Sequence, residues 1–168
     1  MKEQKTAQIT KEELNFEKSP AQIDRGISFV IYSDPGIGKS TLASTLPVGE
    51  TLIINCEAGL GPFLGTGHIV FNLKDDLSQI ESLYKYLRTQ EHPFKYVVID
   101  NVSEMEQWLI NILTITRGKD FPEPFLEHKD ASYKMREFLT LFRDLTYKGI
   151  TVVFNAWEFP LEIRHLEG

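Results

Sequence analysis

Residues 33–40, Ser-Asp-Pro-Gly-Ile-Gly-Lys-Ser, fit the spacing G-x-x-x-x-G-K-[ST] at every fixed position except the first, where Ser33 replaces glycine. The chemistry open to such a run is to grip a chain of phosphates. Gly36 and Gly38 permit the tight turns that aim successive backbone N–H groups at phosphate oxygens. Asp34, Pro35, Gly36, Ile37, Gly38, Lys39, Ser40 and Thr41 are therefore the candidate nucleotide-binding residues. Lys39 offsets charge on the β- and γ-phosphates, the Ser40 hydroxyl is a ligand for Mg²⁺, and a helix starting here adds its partial positive charge. The tripeptide G-K-[ST] alone arises by chance in about one in twelve chains of this length, and a small residue at the first position lowers that to roughly one or two in a hundred. The alternative is a Gly-rich turn carrying an ordinary surface lysine.

Two acids could complete the chemistry. YVVID (96–100) ends on Asp100, and a carboxylate leaving the C-terminal edge of a parallel strand faces the crevice where such sheets bind ligands. There it would order the water shell of Mg²⁺. LIINC (52–56) runs into Glu57, which could hold an attacking water, because phosphoryl transfer to water needs a base or an orienting group. Each has a plainer alternative, a strand-end aspartate capping the next turn and a solvated glutamate.

These side chains need a scaffold. ISFVIYS (27–33) is a continuous apolar run, which predicts a strand covered on both faces. DPGIGKST then turns the chain into a helix through about Leu46, stopped by Pro47. LIINC predicts a second strand and HIVFNL (68–73) a third, at an edge. Asp75 or Asp76 caps a helix with Leu77, Ile80, Leu83, Tyr84 and Leu87 on one face. YVVID is the fourth strand, and Ser103 and Glu106 have capping-box spacing for a helix through Trp108, Leu109, Ile112 and Leu113. Residues 117–129 predict a long loop, and Asp130 caps a helix carrying Met135, Phe138, Leu139, Phe142 and Leu145. ITVVFNA (150–156) is the fifth strand. Strands alternating with helices imply an α/β fold, a parallel sheet of about five strands joined by right-handed crossovers. Residues 1–25 form a polar N-terminal arm in which Thr10 and Glu13 have capping-box spacing, and 26–168 form the core.

Taken in order, SDPGIGKST, LIINCEAGLG, YVVID and TVVFNAWE resemble the RecA-like P-loop ATPase core over about residues 26–158. More closely, they resemble the compact Sak-type ATP-binding proteins of phage recombination modules. The resemblance implies strand order 3-2-4-5-1 with helices on both faces, and ATP and Mg²⁺ as cofactors. It implies that Lys39, Ser40 and Thr41 bind phosphates and Mg²⁺, that Asp100 is the Walker B acid and that Glu57 is the catalytic base. Such proteins carry a polar γ-phosphate sensor at the end of the fifth strand. Here Trp157 holds that position, with Asn155 two residues earlier, and tryptophan offers only an N–H donor.

The same resemblance implies contact with single-stranded DNA through residues 117–129 and 158–168. Arg117, Lys119, His128, Lys129, Arg164 and His165 supply positive or titratable groups there, and Phe121 and Phe125 could stack on bases. Asp120, Glu123, Glu127, Glu158 and Glu162 largely cancel that charge. A homo-oligomer is implied too, with Arg136 or Arg143 lent to a neighbour's site. Because RecA-like cores normally continue with more strands beyond the first, a core lacking its C-terminal strands, or an edge completed by another subunit, is expected.

Composition sets the outer limits. Of 168 residues, 42% are hydrophobic and 25% charged, which excludes a largely disordered chain, and no apolar run is long enough for a membrane span. The net charge of −6 excludes a whole-protein basic footprint. MKEQKTAQIT lacks the apolar stretch of a signal peptide and a single cysteine forms no internal disulfide, so a cytoplasmic location is expected. Cys56 and Trp108 are read as core residues. His68, His92, His128 and His165 lack metal-ligand spacing, so no zinc site is predicted. Three functions fit: a Mg²⁺-dependent ATPase acting in DNA recombination or on single-stranded DNA, a non-hydrolysing ATP-bound switch or oligomer clamp, and a small-molecule P-loop kinase. The last is disfavoured by arginines too scattered to form a lid.

Overall fold

A computed structural model of the chain describes residues 25–57, 59–73, 77–117 and 126–158. The arm expected over 1–25, apart from Arg25, and the cap expected at Asp75 or Asp76 lie outside those residues. Among the described residues five strands form one sheet: β1 (Ser28–Ser33), β2 (Thr51–Asn55), β3 (Ile69–Asn72), β4 (Tyr96–Asp100) and β5 (Thr151–Trp157). All four pairings are parallel and the order is β1-β5-β4-β2-β3, the predicted 3-2-4-5-1 read from the opposite edge.

Side chains alternate across a strand, so β2, β4 and β5 each feed two cores. Leu52, Ile54, Val97, Ile99, Val152 and Phe154 point to one face, where they meet α2 (Leu77–Thr89), α3 (Val102–Arg117) and α4 (Leu126–Arg143). Ile80 and Leu87, Met105 and Leu109, and Met135, Phe138 and Phe142 are the buried stripes of those helices. Ile53, Val98 and Val153 point to the other face, covered by α1 (Lys39–Ala43) and a 3-10 turn at Gly61–Phe63. Helices thus lie on both faces, three long ones against a single short one. β2 sits between two partners with both faces covered, so all five of its residues are buried. No described helix is long and apolar enough to cross a membrane.

Four local expectations need correction. Among the described residues β1 is an edge strand paired with β5 alone and is not covered on both faces, and Phe29, Val30 and Tyr32 are exposed. α1 stops at Ala43 rather than Leu46, because the Ser44 and Thr45 hydroxyls bond back to the Thr41 and Leu42 carbonyls at 2.8 and 2.7 Å and tighten the last turn. α3 is capped by Asn101, whose Oδ1 accepts the Glu104 N–H at 2.8 Å, and not by Ser103. α4 begins at Leu126, so Asp130 lies inside it instead of capping it.

Candidate functional site

Four polar residues stand at one level across the sheet. The register pairs Asn55 with Asn72, Asn55 with Asp100, and Asp100 with Asn155, at or near the C-terminal ends of β3, β2, β4 and β5. All four point to the face that α1 covers, two positions beyond Ile53, Val98 and Val153. They bond in two pairs, Asn55 with Asn72 and Asp100 with Asn155. Asn55 Nδ2 donates to Asn72 Oδ1 at 2.9 Å and to the Glu57 carbonyl at 3.2 Å, while Asn55 Oδ1 accepts the Glu57 N–H at 3.3 Å. Asn155 Nδ2 donates to Asp100 Oδ1 at 3.0 Å, and its own Oδ1 is buried with no partner. The Asp100 carboxylate is thereby fixed in direction from β5.

The glycine loop lies over this row. Gly36 and Gly38 take φ values of 81° and 107°, a region costly for any side chain with a Cβ, and these two turns carry the chain from β1 into α1. Lys39, 9% exposed, folds back across the loop and donates to the Ser33 carbonyl at 2.7 Å, to Ser33 Oγ at 3.1 Å and to the Asp34 carbonyl at 3.0 Å. The one departure from the loop pattern therefore adds an acceptor for the ammonium group. A cavity of about 240 Å³ opens between loop and sheet. Gly36, Gly38, Lys39, Ser40 and Thr41 line it from the loop, and Glu57, Asp100 and Trp157 from the ends of β2, β4 and β5. Pro35 and Pro62 complete its wall. Asp34 and Ile37 do not line it: Asp34 contributes its carbonyl to Lys39, and Ile37 faces outward, 71% exposed.

Burial raises the Glu57 carboxyl above the ordinary glutamate range, and the nearby Asp100 adds to it; the Asn101 hydrogen bond, and more weakly Lys39, pull the other way. Asn101 Nδ2 donates to Glu57 Oε1. Burial, with Asp100 and Glu57 adding, pushes the neighbouring Cys56 thiol up to about 12. Ser40 Oγ and one Asp100 carboxylate in a common cavity make a small hard-oxygen donor set, which fits a Mg²⁺ that keeps waters and takes phosphate oxygens as its other ligands. Among the described residues no group of three or more His, Cys, Asp or Glu could hold a metal.

Of the remaining candidates Trp157 lines the cavity, and the others fall elsewhere. Trp157 donates its backbone N–H to Ser103 Oγ at 2.9 Å, which joins the end of β5 to the first turn of α3. Arg136 and Arg143 line a different cavity, of about 600 Å³, between β1, α3 and α4. Trp108 packs against the larger core. Of the residues expected to meet DNA, Lys119, Phe121, Phe125, Arg164 and His165 lie outside the described residues. Arg117 ends α3, and His128 and Lys129 stand on α4 and not in a loop. Reading the motifs missed Asn55, Asn72 and Asn101. The signal for the first two was present: LIIN and IVFN, like VVID and VVFN, are apolar runs closed by one amide or acid.

Among known proteins, a family described as an AAA domain matches residues 25–159. The fold is similar to the crystal structure of the RadB recombinase, with a TM-score of 0.51 and 16% identity, over 85% of this chain and 67% of that one. No curated protein matches the sequence.

Proposed function

The chain belongs to the AAA domain family, and from that premise we propose that it binds ATP with Mg²⁺ and hydrolyses it. The observation that carries the reading is the meeting of Lys39, Ser40, Glu57 and Asp100 on one cavity at the C-terminal edge of a parallel sheet. Backbone amides of residues 36–41 cradle the phosphates, and Lys39 turns from the Ser33 and Asp34 carbonyls toward the β- and γ-phosphate oxygens. Ser40 and Asp100 would hold Mg²⁺, which when bound would neutralise charge on those oxygens. Glu57 orients a water for in-line attack on the γ-phosphorus. As the new P–O bond forms and the bond to the β–γ bridging oxygen breaks, Glu57 accepts the water's proton, leaving ADP and phosphate. Asn155 acts by holding Asp100, and Trp157 closes the cavity on the β5 side.

The work we assign to this cycle is DNA recombination, with single-stranded DNA or a recombination protein as partner, in a cytoplasmic homo-oligomer. A solved structure of similar fold is a recombinase, and the order of the motifs resembles that of the compact phage proteins of recombination modules. Arg136 and Arg143 line a cavity other than the phosphate cavity, and the role we assign them is to reach a neighbour's phosphates. Trp157 supports a second reading, ATP held as a clamp without turnover, because an indole N–H is a poor replacement for a polar γ-phosphate sensor. Phosphate release from purified protein, with ATP and Mg²⁺ and with or without a single-stranded oligonucleotide, separates the two. Turnover that DNA stimulates, that Lys39→Ala abolishes together with binding, and that Glu57→Gln abolishes while binding persists, supports the ATPase. Tight ATP binding with no release in either condition supports the clamp, and absence of binding removes both.

A further inference from the structure

Asn101 follows the acid of β4, is 1% exposed, and uses both ends of its amide. Its Nδ2 donates to Glu57 Oε1 and its Oδ1 accepts the Glu104 N–H at the start of α3. Glu57 itself stands just past the end of β2, where Asn55 grips its backbone N–H and carbonyl and leaves the carboxylate free to swing. Asn101 is the one residue with a hydrogen bond to that carboxylate among the described residues. A half-exposed glutamate has several rotamers of similar energy, and a water can be activated only from the few that face the phosphates. We propose that Asn101 is the positioning residue for hydrolysis: it holds the Glu57 carboxylate on the wall of the phosphate cavity, braced in turn by the α3 backbone. This rests on the reading of Glu57 as the group that orients the water.

Substitutions can separate the brace from the grip. Asn101→Ser keeps an oxygen able to cap α3 but is too short to reach Glu57, and Asn101→Asp keeps the length and the cap but has no proton to donate. Both are expected to lower kcat for ATP by about 10- to 100-fold, with KM and the calorimetric Kd for Mg²⁺·ATP within about twofold of wild type. Asn101→Ala, which also gives up the cap, is expected to lower the unfolding midpoint further without lowering kcat further. A merely structural role would give the reverse, with kcat following stability across the three. The pairing is read without turnover from the Asn101 side-chain amide in ¹⁵N–¹H spectra of the nucleotide-free protein, which Glu57→Ala should shift. An Asn101 amide unmoved by Glu57→Ala, or Asn101→Ser with wild-type kcat, overturns the inference while wild-type hydrolysis keeps the ATPase reading. A wild type that binds ATP and releases no phosphate overturns both.

Discussion

At the scale of single residues, Cys56 and Glu57 are neighbours in sequence that burial treats alike and chemistry uses differently. Both acids are shifted up, so both hold their protons longer than they would in water. For Cys56, with a thiol near 12, this means an inert side chain. The native protein at pH 8 should resist Ellman's reagent and react at the rate of a free thiol only in denaturant; fast labelling of the native form would contradict the packing seen here. If Glu57 is the base proposed above, its charged form takes the proton from water, so kcat should fall as pH drops, with its midpoint above that of a free glutamate. The stability effect has the opposite sign. A carboxyl that binds its proton more tightly folded than unfolded makes the charged form a cost at neutral pH, and the cost disappears in acid. Glu57→Gln should therefore raise the unfolding midpoint at pH 7.5, with a gain that shrinks as pH is lowered; a midpoint at pH 7.5 that does not rise would mean the carboxylate is better solvated than its surroundings indicate. That Lys39, Ser40 and Asp100 would meet was legible in the sequence, because residue type and spacing single them out, and they line one cavity. Asn101 was not, since an asparagine that holds a glutamate looks, in sequence, like any residue starting a helix.

Elements were legible wherever burial imposed a period, and their ends were not. TLIIN, YVVID and TVVFNAW became strands because parallel strands covered on both faces need unbroken apolar runs. α4 starts earlier than expected because its first turn, Leu126–Lys129, is half-buried or exposed, and the buried stripe begins only at Ala131. That stripe culminates in Phe142, which is fully buried, its ring tilted against those of Phe138 and Tyr84 with centroids 4.6 and 6.0 Å away. Phe142→Ala should cost about 3–5 kcal/mol in urea unfolding, the range for an emptied aromatic site. Gly26, just before β1, sets a different limit. A Cβ there would lie 2.0 Å from the Ile150 carbonyl oxygen, backbone that cannot move aside while β5 stays paired. Gly26→Ala should cost about 2–3 kcal/mol by forcing β1 from its edge position, a loss as large as many core truncations with no atom removed. Stability equal to wild type would show that β1 can shift its entry without disturbing β5.

For the whole molecule, what covers each strand comes from tertiary arrangement, which an apolar run does not encode. ISFVIYS reads like a buried strand, yet β1 ends up at an edge beside a cavity of about 600 Å³. The sheet order was legible only through the resemblance; no periodicity says that the last strand lies between the first and fourth. One consequence of that order can be measured on the entire fold. Because β5 lies between β1 and β4, the loop after β1, the acid of β4 and the glutamate after β2 come together only when the whole sheet is assembled. On the proposed reading the unfolded chain therefore has no site, and Mg²⁺·ATP binds the native state alone. At a ligand concentration 100-fold above Kd this adds about 2.7 kcal/mol of stability. For a chain of this size each kcal/mol moves the thermal midpoint by about 2–4 °C, so Mg²⁺·ATP should raise it by about 5–11 °C. Lys39→Ala should show no rise and Glu57→Gln a full one, because the first removes a phosphate contact and the second leaves the grip intact. A midpoint unmoved by millimolar Mg²⁺·ATP in the wild type would mean that the cavity beneath the glycine loop takes no nucleotide.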